Sequence, residues 1–221
     1  MTLLLGTVSK NNVVLTADGL SRPNPITGQG ISSSNYQKIF PLTNVPIAIV
    51  HHGFNILKNR EVGEIIRDFD AHHMGLIAKS TLIETTDALI QFVDSDAQLI
   101  FQNPANKGVI GFWIAGFSKG KNKPELFETC WPDDVKPQSH KNLVMGGDGK
   151  KFIRRFLDVA LGPFHHEKVH NYNSRLARQY HATLYKRAED KQAKEGENVF
   201  GGHKHQLVIS KKECTWTIPP S

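Results

Sequence analysis

The chain has 221 residues and a formal net charge of +6, with 39% hydrophobic and 22% charged residues. This length and composition are typical of a globular protein of one large domain or two small ones, with enough apolar residues for a sizeable core. No apolar run approaches the roughly eighteen residues of a transmembrane helix. The two cysteines, Cys130 and Cys214, are too far apart for a disulfide framework or a zinc motif.

The charge pattern and the motifs disfavour several classes of function. No basic segment followed by an apolar one occurs at the start, so no signal peptide is predicted and we expect a cytoplasmic protein with free thiols. Basic residues are interleaved with acidic ones, as in the stretch from Arg175 to Lys194, so nucleic-acid binding is supported by charge alone. Among the eleven histidines, only His166 and His170 have the i, i+4 spacing of helical metal sites. They lie outside the helices predicted below, so we expect neither a metal nor a cofactor.

The first fifty residues predict β structure. Four strands are expected, at 3–9, 13–18, 37–40 and 45–50. The first two flank a short polar turn, Lys10-Asn11-Asn12, that suits a hairpin. A loop rich in proline and glycine, from Ser21 to Asn35, separates the two pairs. The fourth strand is apolar on both alternating faces, which indicates that both faces of its sheet are covered.

Helices and further strands are predicted next. Apolar residues recur at helical spacing from Val62 to Ile77 and from Leu82 to Val93. A second β block then has strands at 109–117 and 125–131. It is followed by a glycine-rich turn at 146–149.

Two more helices and a hairpin complete the predicted order. The third helix begins after the glycine-rich turn, with Asp148 as its expected N-cap, and extends to about Ala160. The fourth helix runs from about Ser174 to Lys194. Strands at 206–210 and 214–218 form the last hairpin.

This order of elements predicts the fold class. It consists of four strands, two helices, two or three strands, two helices and two strands. Two antiparallel sheets that are apolar on both faces must pack on each other and be covered by helices outside. We therefore predict an α+β protein with a single domain over residues 1–221, folded as a four-layer α/β/β/α sandwich.

Thr2 is a candidate nucleophile because it directly precedes the first predicted strand. If Met1 is removed, which the small second residue favours, one residue carries both a hydroxyl and a free α-amine. An α-amine has a pKa of about 7.7–8.0, so it can accept a proton near neutral pH. A threonine that uses its own amine as base is a known solution for activating a hydroxyl.

Short pieces in a specific order accompany Thr2. They are Val14-Leu15-Thr16-Ala17-Asp18, Lys38-Ile39-Phe40-Pro41, the segment from Ile47 to Gly53, and Gly201-Gly202 followed by Gln206-Leu207-Val208-Ile209. Together they resemble the β-type subunits of the proteasome and the related bacterial ring peptidases. The resemblance implies the N-terminal-nucleophile hydrolase fold, which is a four-layer sandwich, and a threonine-type peptidase activity.

The resemblance also implies roles for individual residues. Thr2 would attack the scissile carbonyl while its own amine takes the proton, through water. Lys38 would favour the developing alkoxide, and Asp18 would hold the Lys38 ammonium. The backbone N–H of Gly53 would donate to the oxyanion. Each residue also has a structural alternative, namely an edge-strand lysine, a turn aspartate and a glycine that ends a strand.

Substrate contacts follow from the same resemblance. An extended substrate would pair with the backbone near Ser21 and Arg22 and near Gly53 by strand addition. His51 matches a position that shapes the pocket for the substrate side chain preceding the cut. A histidine there predicts that acidic or polar side chains are accepted.

Supporting positions depart from the family. Active members carry a serine in a turn near the threonine, where this chain has Gly147. An alignment through Gly201-Gly202 places Glu197 where an aspartate is expected and Phe200 where a serine is expected. Asp148 either replaces part of this supporting network or only caps its helix.

The resemblance implies partners and leaves alternatives. It implies a polypeptide substrate, a stacked homo-oligomeric ring of six- or seven-fold symmetry, and an ATP-dependent unfoldase. The missing serines leave open a catalytically inactive ring subunit. An amidase acting on a small amide is a further alternative, because the fold hosts several amide-cleaving enzymes.

Overall fold

A computed structural model gives the fold for residues 2–23, 30–104, 106–154, 157 and 166–220. The strands are β1 (Leu4–Val8), β2 (Val13–Asp18), β3 (Ile39–Pro41), β4 (Ile47–Gly53), β5 (Ile56–Leu57), β6 (Arg60–Glu61), β7 (Ile110–Gly116), β8 (Glu125–Trp131), β9 (Asp134–Ser139), β10 (Asn142–Gly146), β11 (Lys204–Ile209) and β12 (Cys214–Ile218). The helices are α1 (Val62–Ile77), α2 (Leu82–Phe101), α3 (Lys150–Arg154), a 3-10 helix (His166–Asn171) and α4 (Ser174–Lys194).

The long strands form two five-stranded antiparallel sheets. The first sheet has the order β10-β1-β2-β11-β12, and the second has the order β3-β4-β7-β8-β9. In the first sheet, β1 and β2 form the predicted hairpin, and the Ser9 N–H donates to the Asn12 carbonyl at 3.0 Å to close its turn. The short strands β5 and β6 form a separate hairpin that leads into α1.

Three apolar clusters fix the relative placement of the sheets and helices. One cluster lies between the two sheets and contains Leu4 and Leu15 from the first sheet and Trp113 and Leu126 from the second. Another joins the second sheet to α1 and α2, and the third joins the first sheet to α3 and α4. The arrangement is a mixed α+β fold that is compatible with the predicted sandwich.

The bounds of most elements follow the sequence prediction. Strands β2 and β8 and helices α1 and α4 begin and end where the sequence predicts. Helix α2 continues about two turns beyond its predicted end, because Ala97 extends the buried stripe of Leu89 and Val93. Within the described ranges, no helix combines the length and apolar character needed to cross a membrane.

Besides the short strands β5 and β6, two strands of the second β block have no predicted range in the sequence. The second β block has four strands instead of two or three, because β9 and β10 follow β8. Strand β9 is mostly exposed and contains Pro137, as is typical of an edge strand, so its sequence lacks an apolar alternation. Strand β10 crosses to the first sheet and pairs with β1, with Leu4 opposite Gly146. The crossing brings the glycine-rich turn next to Thr2.

Some predictions concern residues outside the described ranges. The continuation of the third helix through residues 155, 156 and 158–160, and the middle of the loop at 24–29, lie outside the described residues. The role of Asp148 as N-cap of α3 stays a prediction.

A buried polar network ties α4 to the first sheet. His181 is fully buried, and its ring nitrogens lie 2.7 Å from the hydroxyls of Thr7 and Thr16. The Gln206 side chain also donates to the Thr16 hydroxyl at 3.0 Å. Burial lowers the pKa of His181 from 6.5 to about 3, so the imidazole is neutral in the folded chain near pH 7.

Acidification is expected to destabilise the fold through His181. As the pH falls through about 6.5, the unfolded chain binds this proton while the folded chain does not. The free energy of unfolding then drops by up to about 1.4 kcal/mol per pH unit for this histidine. Urea unfolding at about pH 7.5, 6.5 and 5.5 measures the slope.

His181→Gln is the matched control, because glutamine keeps hydrogen-bonding groups but does not titrate. In this variant the unfolding free energy is expected to depend less steeply on pH than in the wild type. The difference in slope is up to about 1.4 kcal/mol per pH unit, which corresponds to one proton. Equal slopes for the two proteins would contradict the assignment.

Candidate active site

The ends of β1, β2 and β3 bring together Thr2, Asp18 and Lys38. Thr2 stands just before β1 and Asp18 ends β2, and the antiparallel register with Leu4 opposite Ala17 places both at the same edge of the sheet. The Thr2 hydroxyl donates to Oδ1 of Asp18. Lys38 Nζ donates to the Thr2 hydroxyl at 2.5 Å and to the same Asp18 oxygen at 2.8 Å. The three side chains therefore form a closed triangle of hydrogen bonds.

Burial strengthens the electrostatic interactions among the three side chains of this triangle. Thr2, Asp18 and Lys38 are 3%, 0% and 4% exposed. Burial lowers the pKa of the Lys38 ammonium, while the charge and hydrogen bond of Asp18 oppose this effect. A lysine with a lowered pKa releases its proton more readily than a surface lysine. The triangle can therefore both stabilise negative charge on the threonine oxygen and exchange a proton with it.

Backbone groups complete the hydrogen bonding of Asp18 and Lys38. Oδ1 of Asp18 also accepts from the Leu3 N–H at 2.9 Å, and Oδ2 accepts from the Gly201 N–H at 3.1 Å. The third hydrogen bond of Lys38 goes to the Leu20 carbonyl at 2.7 Å. The sequence predicts no role for Leu20, and it marks Gly201 only as part of a glycine pair.

Tyr185 is a second residue that the sequence does not single out. It lies on α4, is 1% exposed, and donates from its hydroxyl to the carbonyl of Leu3. Burial and the nearby Asp18 raise the pKa of this phenol, so it stays protonated as a donor. The contact anchors the residue that follows Thr2. Its only sequence signal is its place within the predicted fourth helix, next to the buried Leu184.

The glycine-rich turn packs directly against Thr2. The Gly149 N–H donates to the Thr2 carbonyl at 2.9 Å. Gly147 has a φ of +76°, and a Cβ there would lie 2.3 Å from both Cγ2 and the carbonyl oxygen of Thr2. A side chain at 147 therefore has no room while Thr2 keeps its position. Gly147, which replaces an expected serine, contributes close backbone approach instead of a hydroxyl.

Replacing Gly147 by alanine is expected to disturb Thr2. A left-handed φ costs an alanine about 1–2 kcal/mol, and the overlap with Thr2 adds about 1–3 kcal/mol. Gly120→Ala is the matched control, because Gly120 has a φ of +75° but no atom within 4 Å of its Cβ position. Chemical unfolding of both variants measures the difference. Equal losses of stability would mean that the contact between Gly147 and Thr2 is not tight.

Gly53 ends β4 near the triangle but does not touch it. The His51 N–H donates to the Lys38 carbonyl at 2.9 Å, so Gly53 lies two residues beyond the position opposite Lys38. Gly53 has a φ of +90°, and a Cβ there would lie 1.8 Å from the Val109 carbonyl oxygen. Only glycine fits this position. Among the described residues, the hydrogen bonds of the Thr2 hydroxyl are with Asp18 and Lys38, and Gly53 shares none with it.

The two predicted substrate-pairing residues differ in availability. The backbone N–H and carbonyl of Ser21 are both paired with Ser33, at 2.8 and 3.1 Å, and the Ser21 hydroxyl accepts from Asn55 at 2.5 Å. Arg22 is exposed, and its backbone makes no hydrogen bond with another described residue. Of this pair, Arg22 is the residue that an extended substrate can reach.

His51 is buried and uncharged. It is 1% exposed, packs against the rings of Tyr36 and Phe112, and donates from Nε2 to the Phe54 carbonyl at 3.1 Å. Burial lowers its pKa from 6.5 to about 3. A neutral imidazole offers no charge attraction to an acidic substrate side chain. The part of the specificity hypothesis that concerns polar side chains is unaffected.

The remaining supporting positions lie around the turn and not in the triangle. Glu197 is partly exposed and pairs with Lys151 at 2.5 Å. Phe200 is 1% exposed and packs in the core cluster with Phe152 and Tyr185. Asp148 is exposed within the glycine-rich turn. Neither the ion pair of Glu197 nor the packing of Phe200 therefore involves the Thr2 hydroxyl.

Comparison of the sequence with protein-family models gives no match, and comparison with curated proteins gives none either. Over the described part of the chain, no group of three or more histidine, cysteine, aspartate or glutamate side chains is placed to hold a metal ion. The observations that bear on the chemistry of the site are therefore its hydrogen bonds, burial and charges.

Proposed function

We propose that the chain is a threonine-type peptidase of the N-terminal-nucleophile class, with Thr2 as nucleophile after removal of Met1. One observation carries the proposal: a buried threonine hydroxyl is held between the Asp18 carboxylate and the Lys38 ammonium. A surface-facing or purely structural threonine does not need two charged partners. Such partners prepare a hydroxyl oxygen to attack and then stabilise the charge that develops on it.

The proposed reaction begins with attack of Thr2 Oγ1 on the scissile carbonyl carbon. The hydroxyl proton passes to the freed α-amine through water, and the Lys38 ammonium stabilises the alkoxide. When the C–N bond breaks, the leaving amine takes the proton and the acyl group remains on Thr2 as an ester. Water then hydrolyses the ester and restores the hydroxyl. Gly53 is the proposed oxyanion donor, because its backbone stands close to the strand position opposite Lys38.

Substrate and assembly are proposed from the resemblance to proteasome β-type subunits. The α+β fold with two large sheets is compatible with that family. The backbone of Arg22, which has no hydrogen-bond partner among the described residues, offers an edge for strand addition by a polypeptide. The proposal includes a homo-oligomeric ring in the cytoplasm, served by an ATP-dependent unfoldase.

A catalytically inactive ring subunit is the second candidate. It is favoured by the two positions where serines are expected, since Gly147 has no side chain and Phe200 is buried in the core. Loss of those hydroxyls removes groups that would position the amine and its water.

The state of the Thr2 amine distinguishes the two candidates. Protein released from a cleavable N-terminal fusion, so that Thr2 is the first residue, is compared with protein whose intact mass shows a retained Met1. A panel of fluorogenic peptides with acidic, basic and apolar residues before the cut is the substrate. We expect turnover only with the unmasked protein, because Met1 acylates the amine that acts as base. Equal turnover by both forms, or none by either in the assembled state, would contradict the peptidase mechanism.

A further inference from the structure

A second polar pocket lies at the beginning of α1, apart from the triangle of Thr2, Asp18 and Lys38. It has a volume of about 270 Å³ and is lined by residues of the segment before Lys38 and of the start of α1. Those used in the argument are Tyr36, Glu61, Gly63 and Arg67. The volume is below the usual range for drug-sized ligands, which indicates a site for a small group.

The first turn of α1 presents uncapped amides to this pocket. Glu61 occupies the N-cap position, but its side chain makes no capping hydrogen bond. The Val62 N–H is satisfied by the Asn55 carbonyl at 3.0 Å. The next two amides, of Gly63 and Glu64, would normally be capped by such a side chain. Gly63 has no side chain that could cover them, and α1 is a 16-residue helix with a positive N-terminal end.

Tyr36 supplies an independent sign of a binding site. It is 7% exposed, and its hydroxyl is buried without a hydrogen-bond partner among the described residues. Apart from burial, the charge of Glu61, the Gly63 N–H and the charge of Arg67 all shift the pKa of this hydroxyl. The hydroxyl therefore lies at the start of α1 with the Gly63 N–H near its oxygen, and its proton has no acceptor among the described residues. Burial raises its pKa, so the hydroxyl is protonated and can donate. An unpaired buried donor costs free energy that a bound acceptor would recover.

Arg67 adds a full positive charge next to the amides. Its Nη1 lies 3.6 Å from the position that a Cβ on Gly63 would occupy. The guanidinium forms no ion pair with a described residue, although Asp68 and Asp70, on the same helix, are engaged by Arg60 and Thr43. Glu61 is the opposing charge in the pocket. The site thus has one cation, one anion, first-turn amides without a side-chain cap, and one hydroxyl whose proton has no acceptor among the described residues.

We propose that the pocket formed by Tyr36, Gly63 and Arg67 binds a small oxyanion, a carboxylate or a phosphate group. One anionic oxygen accepts from the Tyr36 hydroxyl, others accept from the first-turn amides of α1, and Arg67 neutralises the charge. The Thr2 hydroxyl takes no part, so anion binding can be measured without peptide turnover.

Thermal unfolding of the full chain with added anions tests the proposal. Inorganic phosphate and acetate are titrated separately at about pH 7.5, with sodium chloride used to match the ionic strength. We expect a saturable rise in Tm over the matched chloride samples. A rise with phosphate alone identifies a phosphate site, and a rise with both identifies a general oxyanion site. A Tm that follows ionic strength only would overturn the proposal.

Variants that are expected to weaken or to tighten anion binding make the test specific to this pocket. Arg67→Gln and Tyr36→Phe are each expected to weaken binding by about tenfold, because each removes one donor to the bound oxyanion. Glu61→Gln removes the like charge and is expected to tighten binding by about threefold. Tyr36→Phe deletes only an unpaired hydroxyl, so the fold is not at risk. Wild-type affinity in Arg67→Gln, or weaker binding in Glu61→Gln, would rule out this pocket as the binding site.

Discussion

Thr2→Ala is expected to abolish peptide hydrolysis while leaving the fold intact. Alanine removes the oxygen that both Asp18 and Lys38 contact, so no group remains to form the acyl intermediate. Loss of a catalytic nucleophile lowers turnover by several orders of magnitude, and we expect a fall of at least about 10⁴-fold. Asp18 keeps the Leu3 and Gly201 amides and Lys38 as partners, so the free energy of unfolding is expected to change little. Fluorogenic peptide assays and urea unfolding measure the two quantities.

Thr2→Ser is the matched control for the nucleophile. Serine keeps the hydroxyl and the amine but lacks the Cγ2 methyl that packs against the Gly147 turn. We expect measurable turnover, reduced relative to the wild type because the serine side chain is less well positioned. Hydrolysis by Thr2→Ala at the level of the wild type would exclude Thr2 as nucleophile.

Lys38→Met is expected to remove activity and also to destabilise the fold. Methionine fills the space but leaves the fully buried Asp18 carboxylate without its counter-charge. Breaking one side of a buried ion pair costs about 3–5 kcal/mol. The alkoxide also loses its main electrostatic stabilisation, which lowers turnover by at least about 10²-fold. Urea unfolding and peptide assays on the same preparation report both effects.

The double variant Asp18→Asn with Lys38→Met separates stability from catalysis. It has no buried charge left unpaired, so its loss of unfolding free energy is expected to be smaller than the sum of the two single losses. Its turnover should remain as low as that of Lys38→Met. Recovery of both stability and turnover would show that the ion pair serves the fold alone. A strictly additive loss of stability would mean that Asp18 and Lys38 are not coupled.

The sequence predicts the fold where local patterns are strong. Helices α1 and α4 follow from a regular apolar stripe, and β2 and β8 follow from apolar runs bounded by polar turns. Strand β9 has no such signal, because an exposed edge strand buries few side chains and its polar sequence looks like a loop. The pairing of β10 with β1 is a contact between residues more than 130 positions apart, and no local pattern specifies it.

The candidate site also contains some residues that the sequence predicts and others that it does not. Thr2, Asp18 and Lys38 stand at the ends of predicted strands, and the resemblance to proteasome β-type subunits implies that they act together. Tyr185 contributes a side-chain hydroxyl to a backbone carbonyl, and Gly201 contributes only an amide. Contacts of this kind depend on where a helix or a loop packs. A single sequence does not encode them in a recognisable motif.

Asp18 forms hydrogen bonds with chain segments that are synthesised at very different times. Its carboxylate joins residues 2, 3 and 38 to the Gly201 amide, and β11, which follows Gly201, is the strand that pairs with β2. Synthesis therefore adds the Gly201 amide 183 residues after Asp18 itself. The nascent chain holds an incomplete site until Gly201 has been made, so the arrangement around Thr2 forms only once β11 has paired with β2. If Thr2 is the nucleophile that we propose, this order of assembly delays its activation until these segments have folded.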